Sequence, residues 1–167
     1  MTISGGAAPI AGAAVAIGIP LLFLYLVRWL DLYASSGRRA IGVCLLWGAA
    51  AFGVALATNG TLYYRFGLPR AVLIVTAVPV VEEVAKAVVL VDRVRRPDFT
   101  YFVDGAILGF ATGTAFAVLE NLYYLAGAAA GVGFGLSVNR ALSASLMHGT
   151  ASAVVGAALG RFRFDRR

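Results

Sequence analysis

Hydrophobic positions in this chain fall in long unbroken runs and not at amphipathic spacing. Five runs stand out, at about residues 10–30, 40–57, 71–91, 102–125 and 136–159. A helix needs about 20 apolar residues to cross a bilayer core, and each run approaches or exceeds that length. The pattern predicts an all-α fold, a polytopic transmembrane helix bundle of about five spans. Residues 126–135, rich in Gly and Ala, are too short to span and are expected to form a loop or a re-entrant piece. No repeat or linker divides the chain, so residues 1–167 read as a single transmembrane domain.

The polar segments between the runs set a direction. Arg28, Arg38, Arg39, Arg93, Arg95, Arg96, Arg161, Arg163, Arg166 and Arg167 put ten basic residues on one side of a five-span topology; Arg65, Arg70 and Arg140 put three on the other. Basic residues stay in the cytoplasm, which predicts an outside N-terminus and a cytoplasmic C-terminus. Residues 1–9 hold no Lys or Arg, so the basic region of a signal peptide is missing and the first run reads as a retained helix.

Composition agrees with the pattern. Hydrophobic residues make up 60% and charged residues 13%, with mean hydropathy +0.86, which excludes an ordinary soluble domain. The formal charge of +6 does not indicate nucleic acid, because the arginines are spread over short connections. Cys44 is the only cysteine, which excludes an intrachain disulfide and a cysteine metal site.

Chemistry enters where charge interrupts the runs. The third run holds Glu82, Glu83 and Lys86, and one ionisable group at mid-bilayer costs ~2.5–3.5 kcal/mol on insertion scales. Lys86 stands three and four residues after the two acids, so it can neutralise one and leave the other to work. A pair that only fixes packing would need one acid, not two.

The fourth run carries Glu120, Asn121 and Tyr124, with Asp104 near its start. Asp104 precedes Gly105 and suits a helix start or cap as well as chemistry. Gly105, Gly109, Gly113 and Ala117 recur every four residues, a stripe that lets another helix backbone approach. The fifth run holds the single histidine, His148, with Ser145, Ser152, Gly156 and Gly160 near its face. A lone histidine is usually a satisfied core residue, but three intramembrane glutamates shift this one towards function. Arg140, near the outer end, suits snorkelling or pairing with a carboxylate.

Such a set suits water activation. One glutamate can act as general base, or glutamates and histidine can hold a metal that acidifies bound water. Peptide hydrolysis also needs an oxyanion stabiliser, for which Asn121, Lys86 and Tyr124 are candidates. The H-E-x-x-H zinc signature is absent, and one histidine is few for zinc.

These residues carry a resemblance. EEVAK at 82–86 matches an EExxK motif, VDGAILGFATGTAFAVLENLYY at 103–124 matches a DG…G…G…FAxxEN..Y pattern, and Arg140, His148, Gly156 and Gly160 follow in order. The sequence resembles the PrsW family of intramembrane metalloproteases, within the superfamily of CAAX prenyl proteases and bacteriocin-processing proteins. The resemblance implies a multi-pass protease of the cell membrane, with its catalytic core at about 71–160. Its partners would be the lipid bilayer and a single-span membrane protein, such as an anti-sigma factor, cleaved near the extracytoplasmic side. It implies Glu82 and Glu83 as base or ligand, with Glu120 and His148 completing the site. Glu83, Glu120 and His148 would hold any divalent metal, such as zinc. Lys86, Asn121, Tyr124, Asp104 and Arg140 would support them. The chain is short for the family after the histidine span. A non-catalytic scaffold of the same superfamily is the alternative, and a proton-coupled carrier a weaker one, since no internal repeat is evident.

Overall fold

The computed structural model describes residues 7–31, 36–127 and 134–165. They are all-helical: α1 (Ala7–Trp29), α2 (Arg38–Phe66), α3 (Arg70–Val72), a π-helical segment (Leu73–Ala77), α4 (Val78–Val94), α5 (Phe102–Gly127) and α6 (Phe134–Asp165). Four helices, α1, α2, α5 and α6, are long and apolar enough to cross a membrane. The fifth expected span is the run from α3 through α4. It is ~37 Å long at 1.5 Å per residue, but the π-helical segment divides it, leaving α4 with 17 residues, Glu82, Glu83, Lys86, Asp92 and Arg93 among them.

Two boundaries differ from the sequence pattern. The second run was expected to end near residue 57, before Asn59 and Gly60, yet α2 continues to Phe66. With no water in the bilayer core, the backbone gains more from closing its own hydrogen bonds than Asn-Gly gains from turning. Thr61 adds a bond to the Ala57 carbonyl, and Gly67 ends the helix in the left-handed region at φ 61°. The π-helical turns precede Pro79, which lacks an N–H and whose ring would strike the carbonyl four residues back; widening the preceding turns relieves that clash. At the Gly/Ala stretch, α5 runs on to Gly127 and α6 begins at Phe134. The expected loop or re-entrant piece therefore narrows to 128–133, outside the described residues.

Helix α5 is the centre of the bundle, packed most extensively on α6 and then on α2. Burial among lipid tails gains little from hydrophobicity, so close packing of small residues holds these helices together. A Cβ on Gly105, Gly109 or Gly113 would collide with the carbonyls of Gly156, Ser152 and His148 in turn. Each step of four along α5 thus matches a step of four back along α6. The contact is antiparallel and fixed in register.

The helices alternate in direction, so one end of the bundle collects the basic segments. There Asp104, the third residue of α5, reaches back to accept from the Thr100 and Tyr101 amides (both 2.8 Å) and from Ser36 Oγ (3.1 Å), the reach-back half of a capping box. Arg163 donates to the Val94 and Arg96 carbonyls, tying α6 to the end of α4. Arg96 bonds the exposed Asp92 carboxylate at 2.9 Å. At the opposite end lie Arg65, Arg70 and Arg140.

Candidate active site

The charged residues of three helices meet at one level of the bundle. In α4, Glu83 and Lys86 stand one turn apart and pair directly. Lys86 is fully buried, and its Nζ also lies 2.9 Å from His148 Nδ1 on α6. His148 Nε2 is 3.1 Å from Glu120 Oε2 on α5, and Arg140 of α6 reaches the same oxygen at 3.1 Å. Ser152 Oγ donates to Glu83 Oε2 at 3.2 Å. The result is one chain of contacts, Ser152–Glu83–Lys86–His148–Glu120–Arg140, running from α6 through α4 and α5.

Local structure explains each position. The glycine register sets the His148 backbone against Gly113, which leaves its ring beside Phe116 (centroids 4.9 Å apart) and one turn from Glu120. The Phe116 ring also lies 4.5 Å from Lys86 Nζ, a cation–π contact for the buried ammonium. The Trp47 indole of α2 donates to the Ala85 carbonyl at 2.9 Å, pinning α4 next to its charged turn. The pattern reading missed this contact. Its signal was a tryptophan inside an apolar run, whose N–H must find an acceptor.

The two adjacent glutamates separate. Glu83 is taken by Lys86 and Ser152. Glu82 is half-buried, has no hydrogen bond or ion pair among the described residues, and lies within electrostatic reach of His148, Glu120, Lys86 and Glu83. Asn121 is buried, with neither amide atom partnered among the described residues. Tyr124 is exposed and joins only through Arg140, whose guanidinium sits 3.6 Å from its ring centre. Asp104 is not brought to the cluster, since sixteen residues of α5 separate it from Glu120, ~24 Å along the helix. A cleft of about 550 Å³ between α1, α5 and α6 shares Asn121, Tyr124 and Arg140 with this region but is not lined by Glu82.

Hydrogen-bond logic fixes the histidine. An ammonium only donates, so Nδ1 of His148 accepts from Lys86 and the ring proton lies on Nε2, which donates to Glu120. Both ring nitrogens are thus engaged. This bears on the expected metal set of Glu83, Glu120 and His148. Lys86 stands between Glu83 and the ring, Glu120 lies on the ring's far side, and no three His, Cys, Asp or Glu side chains converge among the described residues. The residues as arranged do not fit a metal. A cation could reach His148 only by displacing Lys86 from Nδ1 or the proton from Nε2.

No curated protein and no solved structure matches this chain. A family model described as PrsW family intramembrane metalloprotease matches residues 36–167, which takes in α2 through α6 and every residue of the cluster. The match covers well over half of the sequence, and the chain belongs to the PrsW family of intramembrane metalloproteases.

Proposed function

We propose that this chain is an intramembrane endopeptidase that hydrolyses a peptide bond in single-span membrane proteins, anti-sigma factors being one such class, with Glu82 as general base. The observation that carries this reading is the division between the adjacent acids: Glu83 is neutralised by Lys86, and Glu82 is left with no partner beside the His148–Glu120 pair. Glu82 takes a proton from water as the water oxygen attacks the scissile carbonyl carbon. It returns that proton to the amine nitrogen when the C–N bond breaks. The buried Lys86 ammonium supplies positive charge for the developing oxyanion, in surroundings where charge is weakly screened. His148 and Glu120 hold Lys86 in place, and Arg140 holds Glu120.

Depth places Glu82 at the middle of its run and Glu120 nearer the outer end, which is compatible with attack from that side. Glu82 lies twelve residues from the start of α3, ~18 Å at helical rise, and Glu120 seven residues from the end of α5, ~10 Å. Both depths are counted from the end with few arginines, the extracytoplasmic one by the positive-inside rule.

Comparative N-terminal profiling of membrane proteins tests the reading. Cells would carry the parent chain, Glu82→Gln or Glu120→Gln at matched abundance. New N-termini near the outer ends of single-span proteins, seen only with the parent, are the expected result. Identical profiles in all three would overturn the peptidase and favour a scaffold.

A further inference from the structure

Helices α1 and α2 each pack on α5 and hardly meet each other, which leaves a groove between them at the arginine-rich end. It holds about 520 Å³, within the size range of ligand sites. Leu21, Leu24, Ile41 and Leu45 make its sides apolar, and Arg28 and Arg38 stand at its mouth. From mouth to floor the lining runs ~10 Å along either helix, so the groove leads from the charged end into the hydrocarbon level. Gly42 keeps the α2 side hollow, with nothing within 4 Å of where a Cβ would stand. Positive charge at the mouth is not fully answered. Arg28 uses only Nη1, which donates to the Ser36 carbonyl at 2.8 Å and lies 3.4 Å from Asp31. Arg38 is exposed, and no hydrogen bond or ion pair engages it among the described residues. It also opens α2, where the helix dipole disfavours a cation, with no acid in the first turn and no side-chain cap at Gly37.

We propose that this groove binds an anionic phospholipid, with an acyl chain between α1 and α2 and the headgroup phosphate on Arg38 and the remaining N–H groups of Arg28. Charge complementarity selects the occupant. A guanidinium fork matches a phosphate in two hydrogen bonds, and the apolar sides take a chain that no soluble anion brings. A zwitterionic headgroup carries its own cation to the two arginines and gains less from them. Residues 32–35, Leu-Tyr-Ala-Ser, supply no acid that could answer Arg38 from within the chain. Basic pockets between helices on the cytoplasmic side are where anionic headgroups bind, and the positive-inside rule assigns this end to the cytoplasm. Nothing in this inference depends on the peptidase reading.

Trp29 also lines the groove and can report its occupant, since the other tryptophan, Trp47, turns inward to the Ala85 carbonyl. The full chain is placed in vesicles that mix phosphatidylcholine and phosphatidylglycerol with the same acyl chains. One of the two lipids carries bromine, which quenches a nearby indole, and exchanging the label gives the relative affinity at Trp29. Phosphatidylglycerol is expected to win by about fivefold, the worth of one arginine near an anionic lipid. Arg38→Ala should lose most of that preference. Gly42→Leu should lose it too, because the new side chain fills the groove while every charge stays. Arg39→Ala removes the same charge from an exposed neighbour that does not line the groove, and the preference should survive it. Parity in the parent overturns the proposal. So does a preference that persists in Gly42→Leu, or that Arg39→Ala lowers as far as Arg38→Ala, since either means diffuse attraction to the surface. Displacement of the lipid by excess inorganic phosphate would show that the anion alone binds, and would overturn it as well.

Discussion

Glu82 and Glu83 are chain neighbours with different surroundings, and single substitutions should separate them. Glu82→Gln removes a carboxylate that nothing else needs. Cleavage of a substrate found by profiling should fall roughly a hundred- to ten-thousand-fold, with thermal unfolding unmoved. Glu83→Gln instead leaves a fully buried ammonium without its counter-charge, a loss of about 3 kcal/mol, and its first sign should be lower unfolding temperature and abundance. Equal thermal losses in both variants would sink the division of labour. Lys86 permits a sharper test of the metal question. Its Nζ lies within hydrogen-bond distance of both Glu83 and His148 Nδ1, so Lys86→Ala leaves two good zinc donors facing one vacated point. Zinc at about 100 times its Kd should then stabilise the variant by about 2.7 kcal/mol, raising its unfolding temperature by several degrees while the parent stays put. A similar rise in the parent would show that zinc displaces Lys86 and that the metal set is reachable after all.

Among the elements, the α5–α6 contact sets the site. It joins Gly113 to His148 by backbone and Glu120 to Arg140 by side chain, so any separation of the helices pulls the cluster apart. Gly109→Ala drives a methyl group into the Ser152 carbonyl and should cost about 1–3 kcal/mol, with loss of cleavage, whereas Gly53→Ala, with nothing within 4 Å, should be neutral or stabilising. Unfolding midpoints of the two variants check this, and equal midpoints would contradict the contact. The stripe behind it was legible in the sequence, since glycine every fourth residue in an apolar run has few other uses. So was the meeting of Glu83, Lys86, Glu120 and His148, because burying their charges unpaired would cost more than the fold could bear. Other features were hidden for physical reasons. The length of α2 depends on the solvent around Asn59 and Gly60, not on their turn propensity. The bond from Ser36 to Asp104 spans sixty-eight residues, and the choice between Glu82 and Glu83 depends on a rotation about the α4 axis that no spacing rule fixes.

For the whole molecule, charge and aromatic placement define the same two faces. Tyr63, Tyr64, Tyr123 and Tyr124 are exposed at one end, and Tyr25, Trp29, Tyr101 and Phe102 at the other, the positions amphipathic rings take at membrane interfaces. From Phe102 to Tyr124, α5 rises ~33 Å, close to the ~30 Å of hydrocarbon that separates such belts. Of the arginines in described residues, Arg28, Arg38, Arg39, Arg93, Arg95, Arg96, Arg161 and Arg163 gather at the Trp29 end, with Arg65, Arg70 and Arg140 at the Tyr64 end. That asymmetry predicts the orientation on which outer-side cleavage depends. Alkaline phosphatase, active only outside the cytoplasm, should be active when fused after Gly67 and inactive when fused after Arg167. A fluorescent protein that matures only in the cytoplasm should report the opposite. The reversed pattern would turn the cluster towards the cytoplasmic half. Peptide segments would then have to arrive from the cytoplasm, and a protease for outward-facing segments would no longer fit the molecule.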